Sequence, residues 1–80
     1  MSSSRGCMLV EYKENEWYAI VALDEYDYEF RSFEVFGPAS TEDEAMEKVF
    51  DNCSNPGGSV TVRKDRVEDW EKSVIEKKYK

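Results

Sequence analysis

The chain has 80 residues, of which 40% are hydrophobic and 36% are charged, and its formal net charge is −7. This length and apolar content predict one small folded domain and exclude a generally disordered chain. No apolar run approaches the roughly 18 residues that span a membrane, and no signal-peptide core follows the polar start. We therefore expect a cytoplasmic protein without a membrane partner, in which Cys7 and Cys53 are reduced and buried, a Cys7–Cys53 disulfide being the alternative.

The first residues predict an unstructured start followed by a strand. Residues 1–6 are largely polar and are predicted to be a disordered N-terminus, whereas residues 7–80 are predicted to form a single α+β domain. Residues 7–13 predict the first strand, and Glu14 and Asn15 predict the turn that follows it.

Two further strands are predicted before the first helix. Residues 17–23 are apolar at odd and even positions alike. This pattern is typical of a central strand covered on both faces, or of a strand with one very wide apolar face. The third strand ends with Phe33, Val35 and Phe36, and the Gly-Pro pair that follows is expected to stop it.

Between the second and third strands, acidic and aromatic residues alternate strictly. This acid–aromatic segment, residues 25–30, consists of Glu25, Tyr26, Asp27, Tyr28, Glu29 and Phe30. In an extended strand its three carboxylates would line one face and its three rings the other. The rings occupy even positions whereas Phe33 and Val35 occupy odd ones, so a bulge or turn must change the phase near Arg31 or Ser32. We place the hairpin turn at residues 24–27.

A capping motif predicts the first helix. Thr41 can cap the helix, and Glu44, three residues later, can complete the capping box. The predicted apolar face is formed by Ala45, Met46, Val49, Phe50 and Cys53. The helix is expected to end before residues 55–58, because their Asn-Pro-Gly-Gly sequence favours a turn.

A short strand and a second helix complete the chain. Val60 and Val62 alternate with polar residues in the fourth strand. Asp65 and Glu68 repeat the capping pattern and are expected to open the second helix. Its apolar stripe is predicted to consist of Val67, Trp70, Val74 and Ile75.

The element order is therefore β-β-β-α-β-α, which predicts an α+β domain with two helices packed on one face of a mainly antiparallel sheet. A right-handed crossover would make the fourth strand parallel to the third and would let it pair beside the first. Seven aromatic residues are expected to supply much of the core: Tyr12, Trp17, Tyr18, Phe33, Phe36, Phe50 and Trp70.

The composition excludes several kinds of catalytic site. The chain has no histidine, so Ser-His-Asp and Cys-His arrangements and histidine-containing zinc sites cannot form within it. The spacing of the two cysteines does not match a metal site, and no carboxylate pair is singled out. We predict no catalytic, cofactor-binding or metal-binding residue, and therefore no enzyme. A small enzyme that uses paired carboxylates is the third alternative for function, after the two hypotheses given below.

The charge is distributed unevenly along the chain. Residues 11–47 contain twelve acids against Lys13 and Arg31, a local balance of −10, whereas residues 48–80 have a balance of +2. Because affinity for nucleic acid depends mainly on Lys and Arg, no direct nucleic-acid binding is expected. The acidic part favours a basic protein surface, or a second copy of the chain, as the partner.

The first hypothesis for function is a small acidic interaction protein. Carboxylates two residues apart on a strand recur at roughly 6.6–6.8 Å, close to the spacing of nucleic-acid phosphates, so the segment resembles a ligand for a nucleic-acid-binding surface. The predicted partner-binding residues are Glu25, Tyr26, Asp27, Tyr28 and Glu29. The second hypothesis is a homodimer that pairs edge to edge, with acids opposite the basic part of the other copy. The acid–aromatic segment can also be interpreted without a partner, as a solvent-exposed hairpin whose rings cover the core and whose acids protect an edge.

Overall fold

The elements occur in the predicted order. The computed structural model describes residues 5–23, 32–52 and 56–79. The four strands are β1 (Arg5–Lys13), β2 (Glu16–Ala22), β3 (Phe33–Ala39) and β4 (Pro56–Val62), and the two helices are α1 (Glu42–Asn52) and α2 (Asp69–Tyr79). The α+β class and the β-β-β-α-β-α order are thus confirmed, and β1 begins two residues before the start that we predicted.

The four strands form one mixed sheet in the order β3-β2-β1-β4. β1 pairs with β2 and β2 pairs with β3, both in antiparallel directions. β4 runs parallel to β1, with Thr61 opposite Leu9. Two of the three pairings are antiparallel, so the mainly antiparallel sheet and the position of the fourth strand beside the first are confirmed.

The first hairpin turns at the predicted residues. Asn15 has a φ of 61°, in the left-handed region that asparagine tolerates better than most residues. The next predicted boundary is wrong, because β3 continues through Gly37 and Pro38 to Ala39. The pairing with β2 shifts register between Trp17 and Ala19, and β3 is an edge strand, where the missing N–H of proline is tolerated.

The two helices lie on opposite faces of the sheet, which differs from our expectation of one shared face. Ala45 and Val49 of α1 join a buried cluster with odd-numbered residues of β1 and β2, including Leu9 and Ala19. Ile75 of α2 belongs to a separate cluster with even-numbered residues of the same strands. The reason is the central strand: β2 is buried without a break from Trp17 to Ala22, so each of its faces needs a helix to cover it.

Helix α1 begins at the predicted cap, but its apolar face is narrower than predicted. The backbone N–H of Glu44 donates to Thr41 Oγ1 over 3.2 Å, and the Glu44 carboxylate accepts from the N–H of Ser40 over 3.1 Å. Val49 is fully buried, whereas Phe50 is 60% exposed. Phe50 lies about 100° further round the helix than Val49 and therefore points away from the sheet. Its assignment to the core was wrong, and Cys53 lies outside the described residues.

Helix α2 begins later than predicted. The backbone N–H of Arg66 donates to the carbonyl of Arg63 over 2.8 Å, which closes a turn where we expected the first helical residues. The helix is capped three residues further on, where the N–H of Glu68 donates to the Glu71 carboxylate over 2.8 Å. The helical cap at Asp65 was therefore a wrong prediction.

The later start changes which residues of α2 are buried. Glu71 and Ile75, one turn apart, are the buried residues of the helix. Trp70, which we assigned to the core, is 38% exposed. Glu71 can be buried because its carboxylate accepts the hydrogen bond from the helix cap. An acid at a core position hides the true apolar stripe from a search for hydrophobic periodicity.

Candidate interaction surface

The acid–aromatic segment is attached at one end of the sheet. The N–H of Leu23 donates to the carbonyl of Ser32 over 2.9 Å, one step beyond the last paired residues, Ala22 and Phe33. Both ends of the connection between β2 and β3 are therefore held together at this point. All the predicted partner-binding residues, the predicted turn and Arg31 lie outside the described residues. The phase change was expected near Arg31 or Ser32, and at Ser32 the pairing still follows the register of Ala22 and Phe33.

The last turn of α1 lies at the same end of the sheet. α1 leads from the end of β3 to the start of β4, where Pro56 is opposite Arg5. The start of β1 is in turn paired with the end of β2, with Cys7 opposite Val21. A helix that makes this return runs towards the end of the sheet at which β2 finishes, so Phe50 and Leu23 lie towards the same end of the sheet.

This end exposes large apolar side chains among acids. Leu23 is 47% exposed and Phe50 is 60% exposed. Glu47 precedes Phe50 by three residues, and Asp51 follows it directly; both acids are exposed. We call Leu23, Ser32, Glu47, Phe50 and Asp51 the acidic end. Like the acid–aromatic segment in sequence, it combines acids with an aromatic ring, that of Phe50.

The five acids of α1 divide into two groups: Glu42, Asp43 and Glu44 lie in the first turn, where acids stabilise a helix, whereas Glu47 and Asp51 lie beyond it. The helix contains five acids and one base, Lys48, and no basic residue lies in its last turn. Asp43, Glu47 and Asp51 follow one another at a spacing of four, where like charges destabilise a helix by about 0.2–0.5 kcal/mol per pair. Asp51 also lies at the negative end of the helix dipole. This arrangement favours a role outside the helix for Glu47 and Asp51, which do not belong to the first turn.

Sequence reasoning missed Phe50 as a surface residue. Helical spacing from Met46 placed it on the apolar face, and its hydrophobicity made the core the default assignment. A signal was nevertheless available, because acids occur both one turn before Phe50 and immediately after it. An aromatic residue flanked in this way on a helix is typical of a position at the boundary of the buried face.

On the α2 side of the sheet, three tyrosines form a contiguous cluster. The ring centroids of Tyr12 and Tyr18 are 5.9 Å apart, and those of Tyr18 and Tyr79 are 5.2 Å apart. Tyr18 donates to a Glu16 carboxylate oxygen over 2.7 Å, and Tyr12 donates to Glu76. Burial, followed by the hydrogen bond to Glu16, raises the pKa of Tyr18 well above its ordinary value. The hydroxyl of Tyr18 therefore stays protonated and acts as a structural donor.

A depression of about 510 Å³ lies between the first hairpin and the start of α1. Its lining includes three acids: Glu14, Glu16 and Glu44. Glu16 already accepts from Tyr18, and Glu44 accepts from the N–H of Ser40. The depression gives the small-enzyme alternative a location, but two of its carboxylates are engaged by the chain's own donors. Within residues 5–23, 32–52 and 56–79, no cluster of three potential metal ligands occurs.

Comparisons with protein-family models, curated proteins and solved structures gave no match to this chain. Among the helices described, neither is long and apolar enough to cross a membrane.

Proposed function

We propose that this chain is a small binding protein without an enzymatic activity, whose acidic end and acid–aromatic segment contact a basic protein surface. A nucleic-acid-binding protein offers such a surface. The observation that carries the proposal is the exposure of Phe50 between Glu47 and Asp51, at the end of the sheet where Leu23 and Ser32 hold the segment.

The two kinds of side chain have different roles in this proposal. Phe50 and Leu23 would be buried on binding, and burial of an aromatic side chain supplies much of the energy of typical interfaces. The surrounding acids would attract Lys and Arg of the partner, speed association and reject acidic surfaces. We propose a cytoplasmic location for this interaction.

The test is affinity capture from a host-cell extract, read by mass spectrometry. The wild type is compared with a variant in which Glu25→Gln, Asp27→Asn and Glu29→Gln are combined. The matched control combines Glu14→Gln, Asp65→Asn and Asp69→Asn, which removes the same number of acids from exposed positions elsewhere. Both variants have the same net charge, so a difference between them reports position rather than overall charge.

We expect the wild type and the control to recover the same basic proteins and the segment variant to lose them. Addition of salt should weaken the wild-type capture, because exposed charges are screened over about 10 Å at 0.1 M salt. Equal recovery by the two variants would contradict the assignment of this segment, whether both retain the partner or both lose it.

A further inference from the structure

The two edges of the sheet are protected to different degrees. At β3, Leu23 and Ser32 form a hydrogen-bonded pair of the antiparallel ladder. Hydrogen-bonded and non-hydrogen-bonded pairs alternate, so Ile20 and Val35, three pairs further on, are a non-hydrogen-bonded pair. The carbonyl of Val35 therefore points away from β2. Lys78 Nζ and the Tyr79 hydroxyl both donate to this carbonyl, each over 2.8 Å. The end of α2 therefore covers the outer edge of β3 with a lysine, a common protection against strand addition.

The edge at β4 is protected only at its start, by Pro56 and by a register shift in the pairing with β1. The strand has the sequence Pro-Gly-Gly-Ser-Val-Thr-Val, without a charged residue. Ser59, Val60 and Thr61 are exposed, and Val60 is 62% accessible. No described element lies beyond β4 in the order of the sheet. An uncharged edge with an exposed β-branched residue is a ready template for another strand.

A groove with both apolar and charged side chains in its lining runs beside this edge. The register places Val60 next to Met8, on the face that α2 covers. A depression of about 500 Å³ follows between β4 and α2, and its lining includes Met8, Val62, Arg66 and Trp70. The indole N–H of Trp70 donates to Glu68 over 2.9 Å, and the side chain remains 38% exposed. We call Met8, Val60, Val62, Arg66 and Trp70 the β4 groove.

We propose that β4 and the β4 groove bind the acid–aromatic segment of a second copy of this chain, as a fifth strand of the sheet. This inference goes beyond the proposed function, because it assigns a second partner to the same segment and names the β4 groove as the surface that binds it. The segment has six residues and β4 has seven, of which residues 59–62 pair with β1 in regular register. Main-chain hydrogen bonds would supply affinity, and alternate side chains would supply specificity.

The alternation of acids and aromatic rings in the segment fits the two faces of the sheet at β4. Its three rings, two residues apart, would lie on the α2 face over Val60, Val62 and Trp70. Its carboxylates would then lie on the other face, where Arg63 is 5.8 Å from the ring of Trp17 and its guanidinium is 3.9 Å from Glu11 Oε1. Thr61 on that face is already engaged, since it donates to Glu42.

Net charge favours the same pairing. Residues 24–31 have four acids and one base, a balance of −3, whereas residues 63–66, directly after β4, have three bases and one acid, a balance of +2. Arg63 and Arg66 line the groove together with Glu68 and Glu71, so the formal charge of the lining is balanced, and Lys64 in the turn after β4 supplies the positive surplus. Each copy would supply one segment and one groove, as a two-fold symmetric dimer requires.

Sedimentation equilibrium of the full chain tests this inference with Val60→Lys and a matched control, Ser73→Lys, at an exposed position of α2. We expect a dimer for the wild type and the control, with a mass that falls as salt rises. Val60→Lys should be a monomer, with association at least roughly tenfold weaker, because it places a charge in the apolar contact. Arg66→Glu is a second groove variant in case the first fails to fold.

A labelled peptide of residues 23–32 should bind the wild type and fail to bind Val60→Lys. The capture experiment above separates this inference from the proposed function: Val60→Lys should keep its basic partner at or above the wild-type level, because its acid–aromatic segment is no longer covered. A wild type that is monomeric at every salt concentration, a dimer that survives Val60→Lys and Arg66→Glu, or a peptide that binds both proteins equally would overturn the inference.

Discussion

Gly37 lies against the ring of Tyr18 so closely that a Cβ on Gly37 would be 2.5 Å from Tyr18 Cδ1 and 3.0 Å from the carbonyl oxygen of Trp17. Gly37 also has a φ of +148°, which residues with a side chain rarely adopt. The position therefore requires glycine for two independent reasons. It joins β3 to the tyrosine cluster on the α2 side of the sheet.

Gly37→Ala is expected to lower the free energy of unfolding by about 2–4 kcal/mol, because overpacking and backbone strain act together. Urea denaturation followed by circular dichroism measures this change. Ser40→Ala, at an exposed position nearby, is the control and should change stability by no more than about 0.5 kcal/mol. A similar small change for Gly37→Ala would show that the Tyr18 ring can move away.

Glu71 is expected to stabilise α2 through its cap hydrogen bond rather than through its charge. Glu71→Ala should cost about 1–2 kcal/mol, because the N–H of Glu68 loses its acceptor in a buried place. Glu71→Gln keeps an acceptor oxygen and should retain most of the stability. Denaturation of the two variants compares these effects, and equal losses would indicate that the negative charge itself is needed.

Phe50 and Val49 are adjacent in sequence but are expected to respond oppositely to substitution. Phe50→Ser should leave the free energy of unfolding within about 0.5 kcal/mol of the wild type, since the ring is exposed, while it reduces recovery of the basic partner. Val49→Ala should cost about 2 kcal/mol, because it empties a fully buried site in the α1 cluster. If Phe50→Ser is the more destabilising variant, the ring contributes to the core after all.

Stability should fall at alkaline pH because of Tyr18. Its pKa is raised in the folded protein, so its contribution to stability is complete below the ordinary tyrosine pKa of about 10 and is lost as pH rises from there towards the folded-state value. Denaturation at neutral and at strongly alkaline pH measures this loss. Tyr18→Phe removes the titrating hydroxyl and should show a shallower decline, although it also loses the bond to Glu16. An equally steep decline would assign the effect to other groups.

Local chemistry was sufficient where a structural feature depends on neighbouring residues. Asn15 adopts the left-handed conformation that its turn needs, and Thr41 and Glu44 form the cap that their spacing predicts, because each depends on a few consecutive residues. The order of the strands and helices follows from such signals. The apolar run in β2 also indicated a strand covered on both faces, although we combined it with helices on one face.

The candidate surface was predictable only in part. Acid–aromatic alternation singled out residues 25–30 from sequence, and the structure adds Leu23 and Phe50 at the same end of the sheet. Phe50 could not be placed from the sequence, because Val49 and Phe50 are equally apolar and only the orientation of α1 on the sheet selects one of them. The exposure of the edge at β4 could not be predicted from the sequence either, because it depends on where α2 packs on the sheet.

The sequence by itself determined the element order, the first turn, the α1 cap and the acid–aromatic pattern, since these arise from contacts between near neighbours. Only the tertiary structure decided that the helices cover opposite faces, that Glu71 is buried while Trp70 is exposed, and that Lys78 protects β3 while β4 stays open. Each of these outcomes depends on packing between residues that are far apart in the chain, because only that packing decides which side chains are buried and which stay exposed.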